Sequence, residues 1–260
     1  MLSYQHAYHA GNMADVHKHA LLAWMLHYMI QKPKPLSYLE THAGRAIYDL
    51  RGPEAIKTGE AAQGIALARD WFAKDHPYAR ALAKTRAAHG PHVYPGSPQI
   101  ALDTLRFEDN VTLAELHPAE AEALRAALPG ITVAQSDGLA MALSRCPPDP
   151  RRGLLLCDPS WEVKTEYEDI PEFLRKLHRR WPVGILALWY PVLTDARHKP
   201  MLRALHRQFP DAISHTVNFP PARPGHGMVG SGMFVVNPPY GFVDEANALS
   251  RLFARVQPQT

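Results

Sequence analysis

The stretch Gly153-Leu154-Leu155-Leu156-Cys157-Asp158-Pro159-Ser160-Trp161 limits the fold more than any other part of the chain. An apolar run bounded by Gly in front and Pro behind reads as a short strand buried on both faces, which is how strands sit in a parallel sheet covered by helices. The strand ends on a carboxylate. Ligands of open α/β sheets bind outside the carboxyl ends of the strands, so Asp158 is expected at the mouth of the crevice, with the Trp161 ring three residues on. Pro159 stops the strand, removes a backbone donor and stiffens the turn. An Asp-Pro pair after a strand is also an ordinary turn signal, and the rest of the chain has to decide between the two readings.

The same texture recurs. Strands are predicted over 36–40, 111–115, 131–135, 153–157, 184–191, 212–219 and 232–237, with helical spacing between them, and this alternation means a doubly wound α/β sheet. Four of these strands close on an acid: Glu40, Glu115, Asp137 (two residues beyond its strand) and Asp158. Acids on one rim suit a ligand rich in hydroxyl and amino groups, as a nucleoside cofactor is. Glu115, ending the second strand, is placed to take both ribose hydroxyls, and Asp137 to accept from an adenine amino group. Thr41-His42-Ala43-Gly44 forms the junction after the first strand. The full G-x-G-x-x-G fingerprint is absent, which argues against a nicotinamide dinucleotide.

Outside the sheet, 1–31 divides into a polar, aromatic arm and a helix capped by Asn12, with Val16, Ala20, Leu21, Trp24 and Met25 on one face. Residues 53–92 are predicted as a helical insertion without strands, Ala61, Ile65, Ala68, Trp71 and Phe72 falling at helical intervals. Ser97 is predicted to cap a helix through Leu105, and Pro118 to open another. A chain of 260 residues is one domain, 1–260, carrying the arm and the insertion. A net charge of +3 permits a nucleic-acid partner without requiring one. Cys146 and Cys157, the only cysteines, form no disulfide framework. With no signal peptide and no apolar run of membrane-spanning length, a soluble, cytoplasmic monomer with no membrane partner is expected.

Two further features carry alternatives. His6, His9, His17 and His19 form the one serious histidine cluster, which would suit a metal-dependent hydrolase. His17 and His19 are two apart and leave a helix on different faces, so no metal is expected. Arg151, Arg152, the run 175–180 and the arginines from Arg197 to Arg207 are candidate phosphate contacts, and loop 220–230, with Arg223 and His226, is a candidate lid or RNA contact. Those features alone would equally fit a non-catalytic RNA-binding protein that keeps a cofactor-like fold.

Leu2-Ser3-Tyr4, His6, His9-Ala10-Gly11-Asn12, Ala14-Asp15-Val16, Lys18-His19, Thr41-His42-Ala43-Gly44, Tyr94-Pro95-Gly96-Ser97-Pro98, Glu115-Leu116-His117-Pro118, Asp137-Gly138 and Leu188-Trp189-Tyr190-Pro191 closely resemble the RlmJ family. The match runs in order through nearly the whole chain. These are S-adenosylmethionine-dependent methyltransferases of adenine N6 in 23S ribosomal RNA. The resemblance implies a Rossmann-like class I methyltransferase fold with a small helical insertion, S-adenosylmethionine as methyl donor, S-adenosylhomocysteine as product, and deproteinised or early-assembly RNA as substrate. It assigns the cofactor to His19, His42, Ser97, Glu115, Asp137, Gly138 and Asp158, catalysis to Asp158 and an RNA contact to Tyr4. A DNA adenine methyltransferase would use the same chemistry; the arm argues for RNA.

The chemistry is coherent. An adenine N6 amine is a poor nucleophile because its lone pair is delocalised into the ring. Asp158 and the Pro159 carbonyl can accept its two N–H bonds and turn the lone pair toward the methyl donor. The base must leave its stack, and Trp161 is expected to receive it by stacking. Two departures stand out. The family shows Asp-Pro-Pro-Tyr where this chain has Asp158-Pro159-Ser160-Trp161, and Arg45-Ala46 replaces part of a more Gly-rich loop. Asn237-Pro238-Pro239-Tyr240 matches the amino-methyltransferase motif better by letter. It follows the last strand, whereas the methyl-transfer motif belongs to the strand after the Asp137 strand, so it is read as a decoy.

Overall fold

The computed structural model of the protein describes residues 5–223, 225 and 227–256. The chain enters through a 3-10 turn, His6–Tyr8, and helix α1, Met13–Ile30. Its N-cap is Asn12, which accepts from the Asp15 N–H at 2.9 Å and so satisfies one of the donors left open at a helix start. Strand β1, Ser37–Glu40, follows. Then comes an excursion bracketed by an antiparallel ribbon of β2, Ile47–Asp49, and β3, Val93–Pro95. Inside it lie α2, Pro53–Thr58, α3, Glu60–Gln63, and α4, Pro77–His89.

The ribbon lies just outside the 53–92 stretch and escaped the sequence reading, because three-residue strands are too short to show a period. The face of Ala61, Ile65, Ala68, Trp71 and Phe72 is also broken. Helix α3 ends before Gly64, the Ile65 N–H donates to the Gly11 carbonyl at 2.8 Å, and the chain resumes as a 3-10 turn, Leu67–Asp70. A bond to the arm takes the place of the helical one.

Helix α5, Ser97–Thr104, starts one residue earlier than expected, with Gly96 as N-cap and the Ser97 side chain turned inward instead of capping. The units that follow are β4, Asn110–Ala114, α6, Pro118–Ala127, β5, Thr132–Ala134, α7, Gly138–Arg145, and β6, Gly153–Cys157. After them come α8, Glu166–Arg180, β7, Ile185–Leu193, α9, His198–Gln208, β8, Ile213–Asn218, β9, Met228–Val236, and α10, Phe242–Phe253.

The main sheet has seven strands in the order β5-β4-β1-β6-β7-β9-β8. Its pairs are parallel except those that β9 makes with β7 and β8. Strand parity divides the protein into two cores. Tyr38, Leu154, Leu156, Ile185, Ala187, Met233 and Val235 face the layer that contains α1, α5 and α10. Their neighbours Leu39, Leu155, Cys157, Leu186, Leu188, Phe234 and Val236 face α8 and α9. Continuous apolar runs are the consequence of burial on both sides. The chain order switches direction between β1 and β6, which places a crevice at their carboxyl ends.

The opposite rim collects many of the arginines that the sequence offered as phosphate contacts. Arg152, just before β6, donates to the carbonyls of Met29 and Lys34, and Arg180 to that of Leu143 at the end of α7. The Arg151 carbonyl accepts from Trp181 Nε1 at 2.6 Å. Arg151, Arg152 and Arg180 therefore lie at the amino ends of the strands, away from the crevice, where Arg152 and Arg180 bind the helix carbonyls of Met29 and Leu143. No described helix is long and apolar enough to cross a membrane.

Candidate active site at the carboxyl ends of the strands

Residues alternate across a strand, so Asp158 continues the parity of Leu154 and Leu156 and faces α1. There it meets Lys18. The ammonium Nζ donates to Asp158 Oδ2 at 2.6 Å and lies 3.1 Å from Asp15 Oδ1. Lys18 is 3 % exposed. Burial alone would lower its pKa, but Asp158 and Asp15 outweigh that and hold it above the usual lysine range. Burial likewise works against the Asp15 charge, and His6, Lys18 and His19 overcome it and keep the carboxyl well below the usual range. Asp15 also ties down the arm: His6 Nε2 lies 2.8 Å from Oδ2, and the Gly11 N–H donates to the same oxygen at 2.9 Å. The arm, α1 and β6 thus meet on three charges.

Sequence reasoning did not place Lys18 in the site. The available signal was the texture of α1, apolar on almost every side. A lysine inside such a helix has to be buried, and a buried ammonium has to be paired.

The loop after β1 forms the next wall. Gly44 has φ +58°, a left-handed conformation that favours glycine, and its N–H donates to Glu115 Oε2 at 2.8 Å. Glu115 Oε1 accepts from the His117 N–H at 2.8 Å. Each oxygen keeps a second lone pair, the arrangement a ribose diol needs. Gly138, the first residue of α7, approaches the Thr41 carbonyl so closely that a Cβ there would lie 1.7 Å from its oxygen. Asp137 caps the same helix, accepting from the Ala140 N–H at 2.7 Å, and remains exposed. His42 hydrogen-bonds Thr41 Oγ1 at 2.7 Å. Burial lowers its pKa, while Asp158 and Asp137 oppose the shift.

Behind this wall the rim differs from expectation. Glu40 is fully buried; Tyr38 donates to its Oε2 at 2.8 Å and Ser97 hydrogen-bonds its Oε1. Burial pushes its pKa up to about 8 against those two hydrogen bonds, and nearby Asp158 adds to the rise. Burial thus favours the neutral form of Glu40, which is not an open rim carboxylate. His19 Nδ1 bonds the Tyr94 hydroxyl at 2.8 Å, and its Nε2 is buried with no hydrogen-bond partner among the described residues. Burial drives its pKa down to about 3, so this orphaned nitrogen belongs to a neutral ring.

The turn after Asp158 also departs from expectation. Trp161 adopts φ +60°, is 6 % exposed and packs on Tyr167 with ring centroids 4.6 Å apart. Its indole is part of the α8 and α9 core and offers no open stacking face in this conformation. Pro159 is buried beside it. Tyr4 and His226 lie outside the described residues. The histidine cluster disperses: His6 goes to Asp15, His9 to Glu60, His17 to Ser231 and His215, and His19 to Tyr94. Among the described residues no three His, Cys, Asp or Glu side chains converge to hold a metal ion. Asn237 sits at the opposite rim, donating to the carbonyls of Pro182 and Gly184 at 2.9 and 2.8 Å. As the end of the reversed strand, it lies across the sheet from Asp158.

A doubly wound sheet with one reversed strand, a tight β1 loop gripped by Glu115, an acid heading α7 and an Asp-Pro turn after β6 together define a class I S-adenosylmethionine-dependent methyltransferase. Comparison with known proteins narrows the class. A family model described as "Ribosomal RNA large subunit methyltransferase D, RlmJ" matches residues 33–259. The chain is 36 % identical over 256 residues to Ribosomal RNA large subunit methyltransferase J of Escherichia coli, covering 95 % of this chain and 91 % of that protein. It is 35 % identical over 250 residues to the protein of the same name from Haemophilus influenzae, covering 92 % and 88 %. A crystal structure of a Legionella pneumophila protein superposes with a TM-score of 0.85 at 33 % identity, covering 95 % and 94 %. The chain belongs to the RlmJ family of ribosomal RNA large subunit methyltransferases.

Proposed function

We propose that the protein transfers a methyl group from S-adenosylmethionine to N6 of one adenine in 23S ribosomal RNA, acting as a cytoplasmic monomer on deproteinised or early-assembly RNA. The observation that carries this reading is the buried Lys18–Asp158 pair at the carboxyl end of β6, on the same rim as Glu115 and Asp137. The donor set fits the cofactor: Glu115 would take the ribose hydroxyls, Asp137 the adenine amino group, and Gly138 lets the start of α7 close on the Thr41 carbonyl, which sets Asp137 at the rim. His42, Ser97 and the orphaned His19 nitrogen complete the cradle. Bound there, S-adenosylmethionine supplies an electrophilic methyl group.

The residues of the chain do the rest. Asp158 and the Pro159 carbonyl accept the two N–H bonds of the adenine amine and direct its lone pair. Lys18 holds Asp158 in one rotamer through Oδ2, which leaves Oδ1 to accept from the amine. After transfer the amine becomes acidic and its proton passes to solvent. Trp161 would receive the base by stacking only after leaving Tyr167, which makes the 159–165 turn the element that has to move. Tyr4 remains the proposed RNA contact on the arm.

The test is transfer of labelled methyl from S-adenosylmethionine to deproteinised large-subunit RNA, intact subunits and DNA, followed by mapping of the modified nucleotide. One N6-methyladenine in the free RNA, abolished in Asp158→Asn, is the expected result. Cofactor binding without transfer to any RNA would favour the non-catalytic RNA-binding reading, and transfer to DNA alone would overturn the RNA assignment.

A further inference from the structure

The Trp189-Tyr190-Pro191 strand has no part in the chemistry above. In the sheet register Cys157 pairs with Leu188, so Trp189 stands beside Asp158 on the neighbouring strand, with its side chain toward α1. The Lys18 ammonium carries three N–H groups. Asp158 and Asp15 lie at 2.6 and 3.1 Å from Nζ, which also lies 5.4 Å from the Trp189 ring centroid. A buried ammonium facing an aromatic ring is attracted by its negative face.

The ring is itself tethered. Trp189 Nε1 donates to Ser231 Oγ at 2.9 Å. Ser231 is fully buried and lies 2.8 Å from His17 Nδ1; His17 Nε2 is 2.9 Å from His215 Nδ1, and His215 Nε2 is 2.8 Å from Ser250 Oγ. An indole nitrogen can only donate. Ser231 therefore accepts from Trp189. Its hydroxyl finds an acceptor within this chain when it donates to His17 Nδ1, with the His17 Nε2–H donating to His215 Nδ1 and the His215 Nε2–H to Ser250. The direction holds while both rings are neutral. Burial keeps both below the usual histidine range, His215 down to about 4.

We infer that Trp189 is a positioning residue for the Lys18–Asp158 pair, and that the hydrogen-bonded chain Trp189–Ser231–His17–His215–Ser250, buried at Ser231, His17 and His215, holds its indole against the ammonium. The inference rests on the assignment of Asp158 to catalysis. The chain joins β7, β9, α1, β8 and α10, and its middle member, His17, directly precedes Lys18 on α1. The helix residue locked into the reversed-strand half of the sheet is thus the neighbour of the one whose charge is delivered to β6. Two carboxylates and the Trp189 ring together surround the Lys18 ammonium, and the ring narrows the positions from which it can serve Asp158.

The test uses the full-length enzyme and the variants Trp189→Leu, Trp189→Phe and Ser231→Ala. It measures kcat and KM for methyl transfer to deproteinised large-subunit RNA, the kcat pH profile, and S-adenosylmethionine affinity by calorimetry. Loss of the π face in Trp189→Leu should lower kcat about tenfold. Loss of the tether alone, in Trp189→Phe and Ser231→Ala, should lower it about threefold and shift the acid limb of the profile. KM and cofactor affinity should stay within about twofold in all three. A purely structural role would reduce the folded fraction and leave kcat per folded molecule and the pH profile untouched, and that result overturns the inference. Should Trp189→Leu fail to fold, unchanged kcat and profile in both other variants overturn it equally. Asp158→Asn separates the two levels. If that variant is active, the catalytic assignment fails; if it is inactive while the Trp189 and Ser231 variants are fully active, only the positioning role fails.

Discussion

Lys18 Nζ meets Asp158 Oδ2 at 2.6 Å across 140 residues of sequence, and both groups are almost removed from solvent. Such a pair is expensive to assemble and more expensive to break, because removing one partner leaves the other as an uncompensated buried charge. Lys18→Met should therefore cost stability as well as activity: about 3 kcal/mol in urea unfolding, and a fall of about a hundredfold in kcat as Asp158 loses the partner that fixes its rotamer. The double variant Lys18→Met with Asp15→Asn removes the second stranded carboxylate. It should regain part of the stability and none of the activity, and recovery of activity would mean that Lys18 acts only on folding.

Glu40 gives a pH signature. Its folded pKa of about 8 lies above its ordinary value of 4.5, so the folded chain holds a proton that the unfolded chain releases. The stability it contributes is complete below pH 4.5, declines by up to about 1.4 kcal/mol per pH unit as the pH rises, and is gone above 8. Glu40→Gln keeps an acceptor for Tyr38, cannot ionise, and should abolish this slope. The measurement is the difference between the two stability curves from pH 5 to 8. His17, His19 and His215, whose depressed pKa values act in the opposite direction below about pH 6.5, titrate alike in both proteins and cancel. A difference independent of pH would show that Glu40 is ionised in the folded protein.

Gly138 tests the cradle. Alanine there would place a methyl group 1.7 Å from the Thr41 carbonyl oxygen, so the start of α7 has to retreat from β1. Overpacking of this kind costs about 1–3 kcal/mol. The displaced helix end carries Asp137, so S-adenosylmethionine affinity should fall at least about tenfold by calorimetry, with a lowered melting temperature. An unchanged affinity would remove α7 from the cofactor site.

The sheet was legible because its strands are short, apolar on both faces and separated by clear helical spacing. The rim acids were only partly legible. Glu115 and Asp137 end their elements in exposed or half-exposed positions, whereas Glu40, written in the same pattern, is capped by Ser97 from a helix 57 residues on and buried. Sequence spacing cannot show that a neighbour covers a group. Trp161 failed for the same reason: the chain reads as aromatic after Asp-Pro, but the left-handed backbone at that residue turns the ring into the core beside Tyr167. Lys18 escaped because a lysine on a helix is ordinarily solvated, and only the all-round burial of α1 makes it exceptional.

Asn237 and Asp158 give opposed expectations for one experiment. Asn237-Pro238-Pro239-Tyr240 carries the more familiar letters, but β9 runs against β7, so its end lies at the rim where β7 begins. The Asn237 amide there satisfies two carbonyls, those of Pro182 and Gly184, and holds the entrance to β7. Asn237→Ala should leave kcat within about twofold and cost about 1–3 kcal/mol in thermal or urea unfolding, the penalty of two unpaired carbonyls partly reached by water. Asp158→Ala should abolish methyl transfer, and its release of Lys18 should register as a separate loss of stability. Both variants are read in the same labelled-methyl assay at matched folded protein. Inactive Asn237→Ala beside active Asp158→Ala would move the chemistry to the other side of the sheet, where Lys18, Glu115 and Asp137 could not reach it.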